Sequence, residues 1–138
     1  MGKIAFVFPG QGSQTVGMGQ QLAEQYPEVM QYFKKADERL SAELSKLIFE
    51  GPQEELTKTV NTQPALLTTS LAILERFQKA AIKPDYVAGH SLGEYTALVA
   101  AGALTFEDGV YAVRKRGEFM EGAVPNGEGS MAAILGLD

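Results

Sequence analysis

The chain has 138 residues, 45% of them apolar and 21% charged, with a net charge of -5, which suits one globular domain or part of one. It has no cysteine and a single histidine, His90, so disulfides and thiolate chemistry are excluded and too few nitrogen ligands exist for a zinc site. Basic residues cluster only at Arg114, Lys115 and Arg116, which gives no nucleic-acid footprint. The opening MGKIAFVFPG is too short for a transmembrane helix or a secretory signal, so no membrane partner is expected and the expected compartment is the cytoplasm.

In chain order, KIAFVFPG (3–10) is short, apolar and aromatic and stops at Pro9-Gly10, which predicts a strand buried on both faces. The glycine-rich loop GQGSQTVGMG follows. From Pro27, residues Val29, Met30, Phe33, Ala36, Asp37 and Leu40 recur at helical spacing, which predicts an amphipathic helix. Gly51-Pro52 closes a short apolar segment with Leu44, Leu47 and Ile48, and Glu54 and Glu55 after Pro52 mark a new helix start. Thr62 and Pro64 open the next helix, whose Leu67, Leu71, Leu74 and Gln78 share a face. Pro84-Asp85 leads into the strand DYVAG, then a serine turn, the helix EYTALVAAG and a last helix over about 106–121. SMAAILG near the end resembles a strand. This order predicts an α/β fold with a largely parallel sheet.

The serine turn carries the chemistry. GHSLG (89–93) fits G-x-S-x-G with an apolar strand before it and a helix after it, the context a nucleophile elbow requires. Glycine is needed two residues either side because the turn brings those positions too close for side chains. The helix N-terminus favours negative charge developing there. Ser91 is therefore the candidate nucleophile, the alternative being a merely structural turn. His90 is a poor base for it, because neighbours in a tight turn point in different directions and a base must reach the hydroxyl. The proton acceptor must lie elsewhere, and the chain has no other histidine.

GQGSQT fails as a phosphate cradle: the dinucleotide pattern needs glycine or alanine where Thr15 stands, and the P-loop pattern needs lysine where Met18 stands. Elbow enzymes build an oxyanion hole from the N–H after the nucleophile and an N–H from a loop after another strand. Leu92 and Gln11 are the candidates, with a plain glycine turn as the alternative.

FPGQGSQ (8–14), TQPALL (62–67), GHSLGEY (89–95), KRGEFM (115–120) and GSMAAILG (129–136) occur in this order. With them the chain closely resembles the N-terminal part of bacterial malonyl-CoA:acyl carrier protein transacylases, over all 138 residues. The resemblance implies a hydrolase-like parallel-sheet core with a nucleophile elbow over residues 1–127, and the first strand of an inserted ferredoxin-like subdomain, cut off, over 128–138. It implies transfer of a malonyl group from coenzyme A to the phosphopantetheine thiol of acyl carrier protein through a malonyl-serine on Ser91, in fatty acid synthesis. No cofactor is expected, since the coenzyme A thioester is the substrate. The partners are malonyl-CoA, acyl carrier protein and the C-terminal remainder of the same protein, which would carry the family's base histidine. These 138 residues are accordingly expected to be inactive alone.

Arg116 matches the family arginine that grips the malonyl carboxylate. At about 100° per residue, it falls at the edge of the face formed by Phe106, Val110, Val113, Gly117 and Met120. A core-facing arginine needs an anion, which a structural carboxylate would also supply. Gln63 matches a position lining the acyl site, or serves the helix start beside Pro64. Two other readings stay open: a serine esterase of the α/β-hydrolase type, with water as acceptor and no carboxylate-binding arginine, and a non-catalytic carrier-protein binding fragment.

Overall fold

Two strands, β1 (Ala5–Phe8) and β2 (Tyr86–Gly89), run parallel in register, Ala5 opposite Tyr86 and Phe8 opposite Gly89. The computed structural model describes residues 2–124, 128, 129, 132 and 134–136. Between the strands come α1 (Gln20–Gln25), α2 (Pro27–Leu40), α3 (Leu44–Glu50), α4 (Gln53–Thr57) and α5 (Thr59–Lys79); α6 (Gly93–Ala100) and α7 (Phe106–Ala123) follow β2. The fold is thus α/β with a small parallel sheet, as the order of elements predicts. Asp85 clips the two strand starts together: its carboxylate accepts from Lys3 Nζ at 2.7 Å and from the Ile4 N–H at 2.9 Å. The Lys3 hydrogen bond holds the Asp85 carboxyl below the usual carboxylate range.

The prediction that β1 is buried on both faces fails. Phe6 and Phe8 turn toward the helices, Phe6 meeting the Phe77 ring edge-on at 5.6 Å, whereas Val7 is 73% exposed and Tyr86 62%. Among the described residues the helices cover one face of the pair, so a continuous apolar run behaves as an alternating strand. The strand expected in SMAAILG falls largely on residues 130, 131 and 133, outside the described set; described residues 132 and 134–136 show no strand pairing.

The core is helical. α5 is its axis, packed against α7, α2 and α6, and residues 62–69 are all buried, so its first half is enclosed all round rather than along one stripe. Phe33 from α2, Ile48 from α3, Leu56 from α4 and Val110 and Val113 from α7 are fully buried beside it. Each such side chain contributes roughly 1.5–3 kcal/mol.

One helix and one helix boundary differ from the sequence reading. α1 is absent from it, being six residues long, too short to show a period. α5 starts at Thr59, so Pro64 lies inside the helix rather than at its opening. Local preference is overridden by contacts of the earlier turn: the Glu121 carboxylate accepts from the Val60 N–H at 3.2 Å, Thr62 Oγ1 donates to the Leu56 carbonyl at 2.6 Å, and Arg114 Nη1 donates to Asn61 Oδ1 at 2.9 Å. Burial lowers the Arg114 pKa from its ordinary value, with Glu118 and Glu121 acting against that. α7 begins as expected, Thr105 Oγ1 accepting from the Asp108 N–H at 3.1 Å as an N-cap.

Candidate active site

The elbow forms where β2 runs out of room. The His90 N–H donates to the Phe8 carbonyl at 3.1 Å, one step beyond the ladder; then the chain reverses, the Gly93 N–H reaching the His90 carbonyl at 2.9 Å and the Glu94 N–H the Ser91 carbonyl at 3.1 Å. Ser91 sits at the apex with φ 55°, a left-handed conformation costing a non-glycine residue on the order of 1–3 kcal/mol. The flanking glycines are sterically required. A Cβ on Gly89 would overlap the Gly93 carbonyl, and one on Gly93 would overlap the Phe8 carbonyl.

The glycine loop leaves β1 against this turn. Gly10 is buried, and a Cβ there would lie 2.7 Å from His90 Nδ1. The His90 ring thus faces Gly10, and among the described residues it makes no hydrogen bond to Ser91. Gln11 comes next, its side chain donating to Thr59 Oγ1 at 3.2 Å, and Gly12 takes φ 111°. Gln53 Oε1 accepts from the Val16 N–H at 2.9 Å, pinning the loop to α4. Leu92, the residue that caps the start of α6, is 1% exposed. Its carbonyl accepts from Tyr95, and among the described residues the N–H groups of Leu92 and Gln11 meet no acceptor.

Arg116 reaches this elbow from α7. Its Nη2 donates to Ser91 Oγ at 3.1 Å and its Nη1 to Gln63 Oε1 at 2.9 Å. Among the described residues no carboxylate pairs with it. The structural-carboxylate alternative therefore finds no partner: both acceptors are neutral, and a guanidinium so placed retains capacity for an anion. Gln63 is 0% exposed, and its Nε2 donates to Met120 Sδ at 3.2 Å. Lys115 turns away and pairs with Glu118 at 2.7 Å, which raises its pKa.

The sequence assigns no role to three neighbours of the site: Thr59, which holds Gln11; Met120, the last residue of KRGEFM, which holds Gln63; and Tyr95, whose ring centre lies 5.8 Å from the Arg116 guanidinium carbon. Tyr95 closes GHSLGEY and stands in the first turn of α6, directly after the elbow, and that place in the motif was the available clue. A groove of about 420 Å³, bounded by Tyr95, Arg116, Phe119 and Met120 among others, adjoins the guanidinium. Among the described residues no cluster of acidic or histidine side chains could hold a metal ion, and no helix is long and apolar enough to cross a membrane.

Fold and site together define an α/β protein that displays a serine on a strained strand-to-helix elbow, with an arginine hydrogen-bonded to its hydroxyl. The family described as acyl transferase domain matches residues 5–136, and the chain belongs to that family. Over 138 residues it is 67% identical to a malonyl CoA-acyl carrier protein transacylase of Bacillus subtilis, covering all of this chain and 44% of that protein. It superposes on an acyl-carrier-protein-S-malonyltransferase from Bartonella henselae with a TM-score of 0.92 and 49% identity, over 97% of this chain and 44% of that one. It also superposes on a structure of a type II PKS acyl-carrier protein in complex with its malonyl-transacylase, with a TM-score of 0.87 and 48% identity, over 91% of this chain and 41% of that one. The chain thus spans less than half the length of these relatives.

Proposed function

We propose that the protein moves a malonyl group from coenzyme A to the phosphopantetheine thiol of acyl carrier protein, in the cytoplasm, for fatty acid synthesis. The observation that carries the reading is the position of Arg116, bridging buried Gln63 and the Ser91 hydroxyl. An esterase with water as acceptor has no use for a cation beside its nucleophile, whereas a malonyl thioester brings a free carboxylate to that place.

In the first half-reaction Ser91 Oγ attacks the thioester carbonyl while its proton passes to a base. The charge on the carbonyl oxygen is held by the Gln11 and Leu92 N–H groups at the positive end of α6. The carbon–sulfur bond breaks, coenzyme A leaves as a thiol with that proton, and a malonyl ester stays on Ser91. The carrier thiol then attacks this ester, its proton returning to Ser91 through the same base. Arg116 grips the carboxylate throughout, Gln63 lining the acyl site with it.

His90 faces Gly10, so the base is assigned to the part of the family's length that lies beyond these residues, together with the rest of the hydrolase-like sheet and the ferredoxin-like subdomain expected to begin at 128–138. That remainder is the third partner, beside malonyl-CoA and carrier protein. The structurally similar malonyl-transacylase bound to its acyl-carrier protein supports the choice of acceptor.

The test is to incubate the intact protein with labelled malonyl-CoA, quench in acid and map the label. The label should sit on Ser91 and vanish in Ser91→Ala; label retained in that variant, or mapped to Ser13 or Ser70, refutes the nucleophile.

A further inference from the structure

We infer that Met120 is a positioning residue for the malonyl site: its thioether sulfur locks the Gln63 amide in the one orientation that holds Arg116 against Ser91. The inference rests on the malonyl reading above.

A guanidinium has donors only, so the Gln63 atom that meets Arg116 Nη1 at 2.9 Å must be Oε1. The amide NH₂ is thereby turned the other way, into an interior where Gln63 is 0% exposed. The acceptor it finds there is Met120 Sδ, at 3.2 Å. Buried donors without an acceptor are costly, and sulfur is a weak but sufficient one. The order of contacts is then sulfur, amide, guanidinium, serine: Met120 to Gln63, Gln63 to Arg116, Arg116 to Ser91. With no sulfur, a Gln63 amide rotated to seek another acceptor would present NH₂ to Arg116, donor against donor, and the guanidinium would leave the serine. Leucine has nearly the volume of methionine and no acceptor, so it separates the sulfur's role from packing. Met120 is only partly buried and borders the open groove beside Arg116, so the lock stands at the wall of the site rather than in the deep core.

The experiment compares wild type, Met120→Leu, Gln63→Ala and the double variant of the intact protein. Two quantities are read: kcat/KM for malonyl-CoA and acetyl-CoA, and the side-chain amide resonances of Gln63 in wild type and Met120→Leu, assigned by their loss in Gln63→Ala. Met120→Leu should lower the malonyl-to-acetyl ratio by about five- to thirtyfold, the size expected when one buried hydrogen bond goes unmade, and shift the Gln63 amide. In the Gln63→Ala background Met120→Leu should change the ratio by less than about twofold, since contacting residues that act through one another are non-additive. An unchanged ratio in Met120→Leu, or an equal fall in both backgrounds, overturns the lock. Should wild type show no malonyl preference at all, the functional reading falls, and the amide resonances still decide the contact: unmoved resonances in Met120→Leu overturn it.

Discussion

Ser91 holds a conformation that only glycine adopts freely, at φ 55°, so its presence there is opposed by backbone energetics and must be maintained by something other than folding. Ser91→Gly should therefore raise the unfolding free energy by about 1 kcal/mol while eliminating acyl-enzyme; calorimetry with the labelling assay reads both, and a destabilised Ser91→Gly would show that the elbow is unstrained. The spacing of GHSLG made this geometry legible, since Gly89 and Gly93 stand at the two positions where a Cβ would collide. The direction of Arg116 was legible too, from its angle around α7. Gln63 was legible through the family resemblance, but its contact with Met120 was not: the two lie 57 residues apart, and no pattern marks a sulfur as an amide's acceptor.

At the level of elements, α5 and α7 set the site, because Gln63 and Arg116 stand one on each. Their approach depends on Gly117, where a Cβ would lie 2.8 Å from the Val60 Cα and 2.9 Å from the Thr59 carbonyl. Gly117→Ala should push the helices apart, destabilise the protein by roughly 1–3 kcal/mol and weaken malonyl transfer; a variant with unchanged Tm and activity would show that the contact is slack. On the opposite side, α2 meets α5 through Tyr32, whose hydroxyl donates to Glu75 Oε2 at 3.1 Å. Burial, reinforced by the Glu75 charge, pushes the Tyr32 pKa up to about 12. The folded state thus favours the protonated phenol, and this contribution is full below the unfolded value of about 10 and lost as pH rises through about 12. Denaturant titrations between these values should show wild type losing stability more steeply than Tyr32→Phe; parallel curves would contradict the assignment. Helices with a clear apolar stripe, such as α2, were readable in advance. The start of α5 was not, because Pro64 signals a boundary locally and the capping contact from Glu121 comes from a residue 61 positions away.

For the molecule as a whole, strand order and parallel pairing followed from the alternation of strands and helices, whereas the exposed face of the sheet at Val7 and Tyr86 did not, since burial of a strand depends on what else packs there. A polypeptide limited to residues 1–138 should form no malonyl-carrier protein product, since its one histidine, His90, faces Gly10; turnover by that polypeptide would reinstate His90 as the base. The most direct measurement is kcat/KM for malonyl-CoA and acetyl-CoA in the intact protein and in Arg116→Ala and Arg116→Lys. Removing the guanidinium from a desolvated carboxylate should cost malonyl transfer roughly 2–5 kcal/mol, with lysine restoring part of it because an ammonium lacks the planar fork. Acetyl transfer, which never used that partner, should hold steady or rise. An equal fall for both substrates in folded Arg116→Ala would make the arginine structural and contradict the malonyl site.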